Sequence, residues 1–310
     1  MTTVLTKNEL ELIESAKKIA IDIRGRVKET EEIRKIPEVT MQQLKDSNIL
    51  YMLRPERYDG LQVSVQTYSK VIVELSKACA SPGWIVSLCA IRDIMGGECF
   101  AGEAHLEIFG EKPRDVLFAG VYEPRMCKAK KVDGGYLIEE GHWMFCSGSL
   151  HATWGYFGMH VTNDAGEIVE QLLMTLPFHE MEIEDDWYTL GLRGTGSNAV
   201  RMKNVFIPDH RCTSFLGILN GHFRSAHLRD IPLYNSALFP CLIISLGLPG
   251  LGVMKEMLDN FNQSLPYRTA QHMGVKMIKD AASTHKLIAE ANLKVETAEL
   301  YLMNLAKSID

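Results

Sequence analysis

The chain has 310 residues, of which 46% are hydrophobic and 23% are charged, and its formal net charge is −6. This composition predicts a soluble globular protein, and the negative charge argues against a nucleic-acid binder, which would need a basic face for phosphates. Seven scattered cysteines without a Cys-x-x-Cys pair argue against a zinc site and predict reduced thiols in a cytoplasmic protein. No uninterrupted apolar run approaches the ~18–20 residues that span a bilayer, so no membrane segment is predicted.

The first third of the chain predicts helices only. Apolar residues recur at helical spacing from about residue 7 to 31, and a second helix is expected after Pro37. The stretch Pro55-Glu56-Arg57-Tyr58-Asp59-Gly60 predicts a turn, because Pro and Asp-Gly both favour one. Three more helices are predicted between this turn and residue 115, so we expect an N-terminal helical domain over residues 1–115.

From Val116 the pattern changes to short β-rich runs separated by turns such as Asp133-Gly134. The runs follow one another at spacings of ~8–12 residues, which is typical of a small antiparallel barrel or sandwich. Pro208 ends the β-region. We therefore predict a central β-domain over residues 116–214 and, for the whole chain, the fold class α+β.

The last third predicts a C-terminal helical domain over residues 215–310. A polar connector leads to a long apolar helix from Ser236 to Phe261, and a second long helix is predicted from Val275 to the end of the chain. Two helices cannot easily bury all their apolar faces, so this domain implies a partner surface.

Two polar loops of the central domain are the strongest candidates for a functional site. The first follows Trp143 and contains Cys146-Ser147-Gly148-Ser149, and the second runs from Asp186 to Ser197. Gly, Ser and Thr let the backbone come close to a ligand and supply donors, and an indole offers a flat face for an aromatic ring system. The alternative is two ordinary turns of a β-sandwich.

These segments resemble the middle domain of the acyl-CoA dehydrogenase superfamily, and the resemblance extends over nearly the whole chain. The nearest match is the flavin-dependent monooxygenase branch, which includes the oxygenase component of p-hydroxyphenylacetate hydroxylase and dibenzothiophene monooxygenase. The residues that carry it are Asp133-Gly134-Gly135-Tyr136, Trp143-x-Phe145-x-Ser147-Gly148-x-x-His151-Ala152-x-Trp154, and Asp185-x-Trp187-x-x-x-Gly191-Leu192-Arg193-Gly194-Thr195-Gly196-Ser197.

The resemblance implies the oxygenase component of a two-component monooxygenase. Such an enzyme uses reduced flavin (FMNH2 or FADH2) and O2, without a metal, to hydroxylate a small aromatic or heteroaromatic substrate through a C4a-hydroperoxyflavin. No nicotinamide-binding G-x-G-x-x-G follows a strand, so a separate NAD(P)H-dependent flavin reductase is expected to supply the flavin. The superfamily closes its C-terminal domain with a four-helix bundle that builds a homotetramer, and by that comparison this chain has about two of the four helices.

The resemblance also assigns roles to individual residues. It places the hydroxyl of Ser147 beside flavin N5 as a catalytic group, and His151 either reaches the substrate or orients the loop. The cofactor-binding residues that it implies are Trp187, Arg193, Thr195, Ser197 and Arg268. Each has a structural alternative: a core indole for Trp187, an ion pair with Asp185 or Asp186 for Arg193, and a solvated surface cation for Arg268.

A weaker set of residues is expected near the substrate. Trp84 either belongs to the core or lines the substrate side. Cys146 either touches the flavin ring that Ser147 is expected to contact or is a structural thiol. Arg92 stands in Ile91-Arg92-Asp93, where the family often carries an aromatic or His-containing stretch. It either binds an anionic substrate or pairs with Asp93.

Two other functions remain open from the sequence. An acyl-CoA dehydrogenase would use FAD for α,β-desaturation of an acyl-CoA, but it needs an Arg-x-x-Phe-Gly turn, and the chain reads Arg268-Thr269-Ala270 without a following Phe-Gly. The other alternative is a non-catalytic scaffold or binding protein that has kept the fold.

Overall fold

The structure is a computed structural model that describes residues 5–125, 127–236, 238–270 and 275–310. Helices come first, strands occupy the middle, and helices return at the end, as the sequence predicts. This order is that of the acyl-CoA dehydrogenase-like fold, and the predicted fold class is confirmed.

Six α-helices lie in the described part of the first third, residues 5–115. Their bounds are α1 Lys7–Gly25, α2 Val27–Ile33, α3 Glu38–Asp46, α4 Val65–Ala78, α5 Ala80–Glu98 and α6 Glu103–Phe109. The single helix expected over residues 7–31 is divided at Arg26, whose backbone leaves the helical region at φ −107°. α2 then ends at Arg34, which adopts a left-handed conformation.

Helix α5 lies at the centre of this part of the molecule. It contacts α4, the later helix α8 and strand β1, and all of its residues except Ala80, Trp84 and Leu88 are buried. These three residues are spaced four apart, so they lie on one stripe of the helix. The stripe is the accessible side of an otherwise enclosed helix.

Eight strands form one sheet in the middle of the chain. Their bounds are β1 Phe118–Val121, β2 Cys127–Val132, β3 Gly135–Trp143, β4 Trp154–Thr162, β5 Ile168–Pro177, β6 Glu182–Ile183, β7 Val200–Pro208 and β8 Cys212–Ser214. The strand order is β6-β7-β3-β2-β4-β5-β8, and β1 pairs with β4 beside β2. A separate apolar core lies under this sheet, centred on Trp143, Phe157 and Met174.

The sheet is mixed, whereas the sequence predicted an antiparallel one. β1 and β2 both run parallel to β4, β1 along its first half and β2 along its second half, and the other pairings are antiparallel. The break between β1 and β2 contains Pro124, which has no N–H to donate to the ladder. Opposite the break, a side chain at Gly158 would collide with the carbonyl oxygen of Tyr122.

In the last third, the residues that the structure describes form three α-helices: α7 Phe215–Leu219, α8 Leu238–Ser264 and α9 Ala282–Ile309. The predicted start of the first long helix includes residue 237, which lies outside the described residues. The last helix begins at Ala282 and not at Val275, because the chain first forms a β-bridge between Thr269 and Met277. α8 packs against α4, α5 and α9.

Helices α8 and α9 leave many apolar side chains exposed. The segment Leu238–Tyr267, which consists of α8 and the turn after it, is long and apolar enough to cross a membrane, judged by length and composition alone. In its most apolar stretch, 44% of the residues are buried inside the molecule. The exposed large side chains of the two helices are Phe239, Ile243, Leu246, Met254, Met257, Leu287, Leu293, Leu300 and Tyr301. Such an apolar surface is typical of an interface.

Candidate functional site

Both polar loops leave the sheet at the same place. The first begins where β3 ends at Trp143, the second ends where β7 begins at Val200, and these two residues pair across the antiparallel ladder. Backbone hydrogen bonds then join the loops to each other, from Cys146 N to Asn198 O at 3.1 Å and from Gly148 N to Thr195 O at 3.1 Å. The sheet register therefore brings the two motifs together.

Ser147 is at the centre of a buried hydroxyl network. Its Oγ accepts a hydrogen bond from Trp84 Nε1 at 3.1 Å and lies 2.8 Å from Ser197 Oγ. Ser197 Oγ lies 2.6 Å from Thr195 Oγ1, which donates to the carbonyl oxygen of Leu192 at 2.8 Å. Three of the predicted site residues are thus in direct contact, and the partly exposed stripe of α5 reaches them through its indole.

The second loop lies tightly against the N-terminal helices. A Cβ at Gly194 would come within 2.2 Å of Thr30 Cγ2 on α2 and 3.1 Å of Ser81 Cβ on α5. Only a residue without a side chain lets the backbone come this close. This contact sets the distance between the loop and the helix that carries Trp84.

Trp187 is held within its own loop and stays partly exposed. Its backbone N–H donates to Asn198 Oδ1 at 3.0 Å, and its Nε1 donates to the Leu192 carbonyl at 3.1 Å. The ring meets Phe145 of the first loop edge-on, with centroids 6.0 Å apart. Phe145 is 64% exposed and Leu190 is fully exposed, so the loops carry an apolar rim around the buried hydroxyls.

Arg193 does not form the ion pair that was its structural alternative. Asp185 pairs instead with Arg34 of the N-terminal domain at 2.7 Å, and Asp186 accepts from the backbone N–H of Ala199 at 2.8 Å. Arg193 Nε is buried and has no hydrogen-bond partner among the described residues. Because buried polar groups are normally hydrogen-bonded, this N–H beside Thr195 could donate to a bound ligand.

His151 lies away from the hydroxyl network, against helix α3. Its Nδ1 is 4.0 Å from Glu38 Oε1, and its buried Nε2 has no partner within the described part of the chain. Burial, assisted by Lys35, lowers the pKa of His151 to about 4, so the ring is neutral at neutral pH. The contacts favour a role in orienting the loop, and the catalytic role stays a prediction.

Arg92 and Cys146 lie on the inner side of the site. Arg92 donates to the backbone carbonyl of Gly120 at 2.8 Å. Its expected partner Asp93 pairs with Arg54 at 2.9 Å instead, so that alternative for Arg92 is wrong. Burial raises the pKa of the Cys146 thiol to about 12, which makes it a neutral structural group.

Arg268 is not brought to the two loops. It is exposed beyond the end of α8, where its Nε donates to Ser264 Oγ at 2.9 Å and its guanidinium lies over the ring of Phe261 at 5.2 Å. Its contacts are with the end of α8 and not with the two loops, and the expected contact with a flavin phosphate across a subunit boundary stays a prediction.

Two residues that hold the site were missed from the sequence. Arg34 donates to the Trp187 carbonyl at 3.3 Å and stacks on Tyr188 at 3.8 Å, although it lies in the N-terminal domain, and no sequence signal marks it. Asn198 bridges the two loops through both its backbone and its side chain. Asn198 directly follows the Gly-Thr-Gly-Ser motif, so its position alone could have indicated it.

The residues present fit a flavin. The loops offer hydroxyls and a free guanidinium N–H, which suit the polar edge of a heteroaromatic ring, and an apolar rim with an indole, which suits its face. The Ser147 hydroxyl has two polar contacts within the described part of the chain, which leave one of its acceptor positions unused there.

Comparisons with known proteins find relatives that are named as oxygenase subunits of flavin-dependent monooxygenases. The family profile for "Acyl-CoA dehydrogenase, N-terminal domain" matches residues 6–95. The flavin-dependent monooxygenase oxygenase subunit HsaA from Rhodococcus jostii is 29% identical over 276 residues, which cover 89% of this chain and 71% of the relative. The protein of the same name from Mycobacterium tuberculosis is 33% identical over 222 residues, 72% of this chain and 55% of the relative.

A solved structure shows the same fold. XiaF from a Streptomyces species, in complex with FADH2 and glycerol, superimposes with a TM-score of 0.86 at 24% identity, over 97% of this chain and 75% of that one. The chain thus spans about half to three quarters of the length of these proteins.

Proposed function

We propose that this chain, a homologue of the flavin-dependent monooxygenases in the acyl-CoA dehydrogenase superfamily, is the oxygenase component of a two-component monooxygenase. It would use reduced flavin and O2 to hydroxylate a small aromatic or heteroaromatic compound. The observation that carries the proposal is the contact between the two motif loops, which brings Ser147, Ser197 and Thr195 together beside the indoles of Trp84 and Trp187.

The chain's own residues have distinct tasks in this proposal. A bound reduced flavin supplies the electrons that activate dioxygen. Ser147 would accept a hydrogen bond from the flavin N5–H and so help to keep that proton on N5. Arg193 and Thr195 would hold the polar edge of the ring system, and Trp187 would cover its face.

The substrate side is formed by the partly exposed stripe of α5. Trp84 lies on this stripe beside Ser147, and Leu88 continues it by one turn toward Arg92. An apolar stripe next to the reactive edge suits a small aromatic ring. The stripe supports an aromatic substrate without selecting one.

The proposal includes partners outside this chain. A separate NAD(P)H-dependent flavin reductase would supply FMNH2 or FADH2, which the term "oxygenase subunit" in the relatives' names supports. The exposed apolar faces of α8 and α9 support a homotetramer, in which Arg268 would reach the flavin phosphate of a neighbouring subunit. We also propose a cytoplasmic location, which the reduced cysteines support.

Anaerobic titration with flavin tests the proposal. Photoreduced FMN and FAD should bind more tightly than the oxidised forms, and admission of O2 should produce a spectrally distinct species that decays more slowly than free reduced flavin reoxidises. Absence of any affinity for reduced flavin would contradict the proposal and favour a scaffold. Reduction of a tightly bound FAD by an acyl-CoA would instead identify a dehydrogenase.

A further inference from the structure

The hydroxyls of Ser147, Ser197 and Thr195 form a continuous hydrogen-bond chain, which we term the hydroxyl relay. One end is the carbonyl oxygen of Leu192, 2.8 Å from Thr195 Oγ1, and the other is the indole N–H of Trp84, 3.1 Å from Ser147 Oγ. A carbonyl can only accept and an indole N–H can only donate. Both ends of the relay therefore have fixed roles.

These ends determine the direction of every bond between them. Thr195 has a single hydroxyl proton and donates it to Leu192, so it must accept from Ser197 across their 2.6 Å contact. Ser197 is then committed as a donor, and it must accept the proton of Ser147 across 2.8 Å. All three residues are at least nine-tenths buried, so water does not readily exchange with these bonds. Ser147 has used its proton and one lone pair, and it keeps one lone pair.

We infer that the hydroxyl relay makes Ser147 a hydrogen-bond acceptor only, and that this selects the reduced over the oxidised flavin. The inference rests on the proposed function. Reduced isoalloxazine carries a hydrogen on N5, which can donate to the remaining lone pair of Ser147. Oxidised isoalloxazine has a bare N5 that can only accept, so a bond to it requires Ser147 to donate.

That donation reverses the relay at a definite cost. If Ser147 donates its proton to the flavin, then Ser197 must donate to Ser147 and Thr195 must donate to Ser197. The hydrogen bond from Thr195 to the Leu192 carbonyl is then lost. One hydrogen bond within a protein is worth a net factor of ~2–12 in an equilibrium constant. The relay should therefore contribute ~2- to 12-fold to the preference for reduced flavin.

The matched test is the ratio of the dissociation constants for oxidised and photoreduced FMN, both measured anaerobically. Thr195→Val removes the bond to the Leu192 carbonyl, which lets the relay reverse freely, so the ratio should fall by ~2- to 12-fold, whatever the loss of affinity that both flavin forms share when this side chain no longer holds the ring. Thr195→Ser keeps the hydroxyl and should keep the ratio. A folded Thr195→Val protein with an unchanged ratio would overturn the inference.

Ser149→Ala provides the matched control for this ratio. Ser149 is a buried hydroxyl on the same loop, but it donates to the Gly196 carbonyl at 3.1 Å and is not part of the hydroxyl relay. Its removal should leave the ratio unchanged. A fall equal to that of Thr195→Val would mean that general loosening of the loop, and not the relay, sets the preference.

A second measurement needs no flavin. In protein labelled with 15N at the tryptophan indoles, the Trp84 resonance is identified by its loss in Trp84→Phe. Ser147→Ala should shift this resonance and Ser149→Ala should not, because only Ser147 accepts from the indole. An unshifted Trp84 resonance would refute the relay even if the protein binds reduced flavin. Conversely, intact relay signals without reduced-flavin binding would refute the proposed function alone.

Discussion

The environment of His151 includes residues that are distant from it in the sequence. The sequence places it four residues after Ser147 in the same motif, and the structure turns it toward Glu38, outside the hydroxyl relay. Glu38 stands at the start of α3, more than a hundred residues earlier in the chain. Local pattern could not show this contact, because it depends on how the N-terminal helices meet the sheet.

The buried neutral His151 should make stability depend on pH. Its folded pKa of about 4 lies below the ordinary value of 6.5, so between these values the unfolded chain binds more protons. Stability should rise as pH increases from about 4 to 6.5, with His151 contributing up to about 3 kcal/mol. Urea unfolding at several pH values gives the free energy of unfolding as a function of pH, and this dependence should have a flatter slope in His151→Gln.

His105 contributes to the same window, since burial lowers its pKa to about 4 as well. The slope in His151→Gln should therefore be reduced and not abolished. His179 is exposed and offers a matched control, because His179→Gln should leave the slope as it is in the unaltered chain. An equal slope in the His151 variant would contradict the burial of a neutral ring.

At the scale of elements, the close contact between the second loop and α2 is a distinctive feature. A Cβ at Gly194 would overlap the methyl group of Thr30, 2.2 Å away. Gly194→Ala should destabilise the protein by about 1–3 kcal/mol, as overpacking of a well-packed site does. Gly191 lies on the same loop with nothing within 4 Å of such a Cβ, so Gly191→Ala should change stability by less than about 0.5 kcal/mol.

A second-site change separates this overlap from other effects of the substitution. Thr30→Ser removes the methyl group and keeps the hydroxyl that donates to the Arg26 carbonyl at 2.9 Å. The double variant with Gly194→Ala should recover part of the lost stability in thermal unfolding. A double variant that loses the sum of the two single effects would show that the loop and α2 do not meet in this way.

The junction of α1 and α4 provides another prediction at this scale. Burial opposes ionisation of Glu9, but hydrogen bonds from Ser64, Thr6 and Thr67 outweigh it and lower the pKa of Glu9 to about 2. The stability that Glu9 contributes is therefore present above pH 4.5 and lost as pH falls toward 2. Glu9→Gln should cost about 2 kcal/mol at pH 7 and clearly less at pH 2.5, measured by urea unfolding.

Glu11 supplies the control for Glu9. It lies on the same helix, is exposed, and has Lys7 at 3.7 Å as its one ion-pair partner among the described residues. Glu11→Gln should have little effect at either pH, because exposed ion pairs contribute little. An equal loss in both variants would attribute the effect to the charge of α1 and not to the junction.

The elements that the sequence predicted are those with a strong local period. Helices α4 and α5 and the strands beside the motif loops follow apolar spacing and turn residues directly. The interruption at Arg26 and the delayed start of α9 at Ala282 depend on tertiary contacts and the bridge at Thr269. The parallel pairing of β1 and β2 with β4 has no sequence period of its own, since both kinds of strand alternate alike.

For the whole molecule, the order of helices, sheet and helices followed from the change in period along the chain and from the resemblance. The meeting of the two loops followed only from the resemblance, because nothing local pairs Trp143 with Val200. One chain does not test the expected role of Arg268. The residue lies beyond the end of α8, and the flavin phosphate that it is proposed to contact would belong to a neighbouring subunit.

The position at which a reduced flavin binds tests the proposed function most directly. A crystal of the protein soaked anaerobically with reduced FMN should show N5 within hydrogen-bond distance of Ser147 Oγ, ~2.7–3.2 Å, with the ring beside Trp187. Flavin bound elsewhere, or bound at the two loops with N5 turned away from Ser147, would contradict the account.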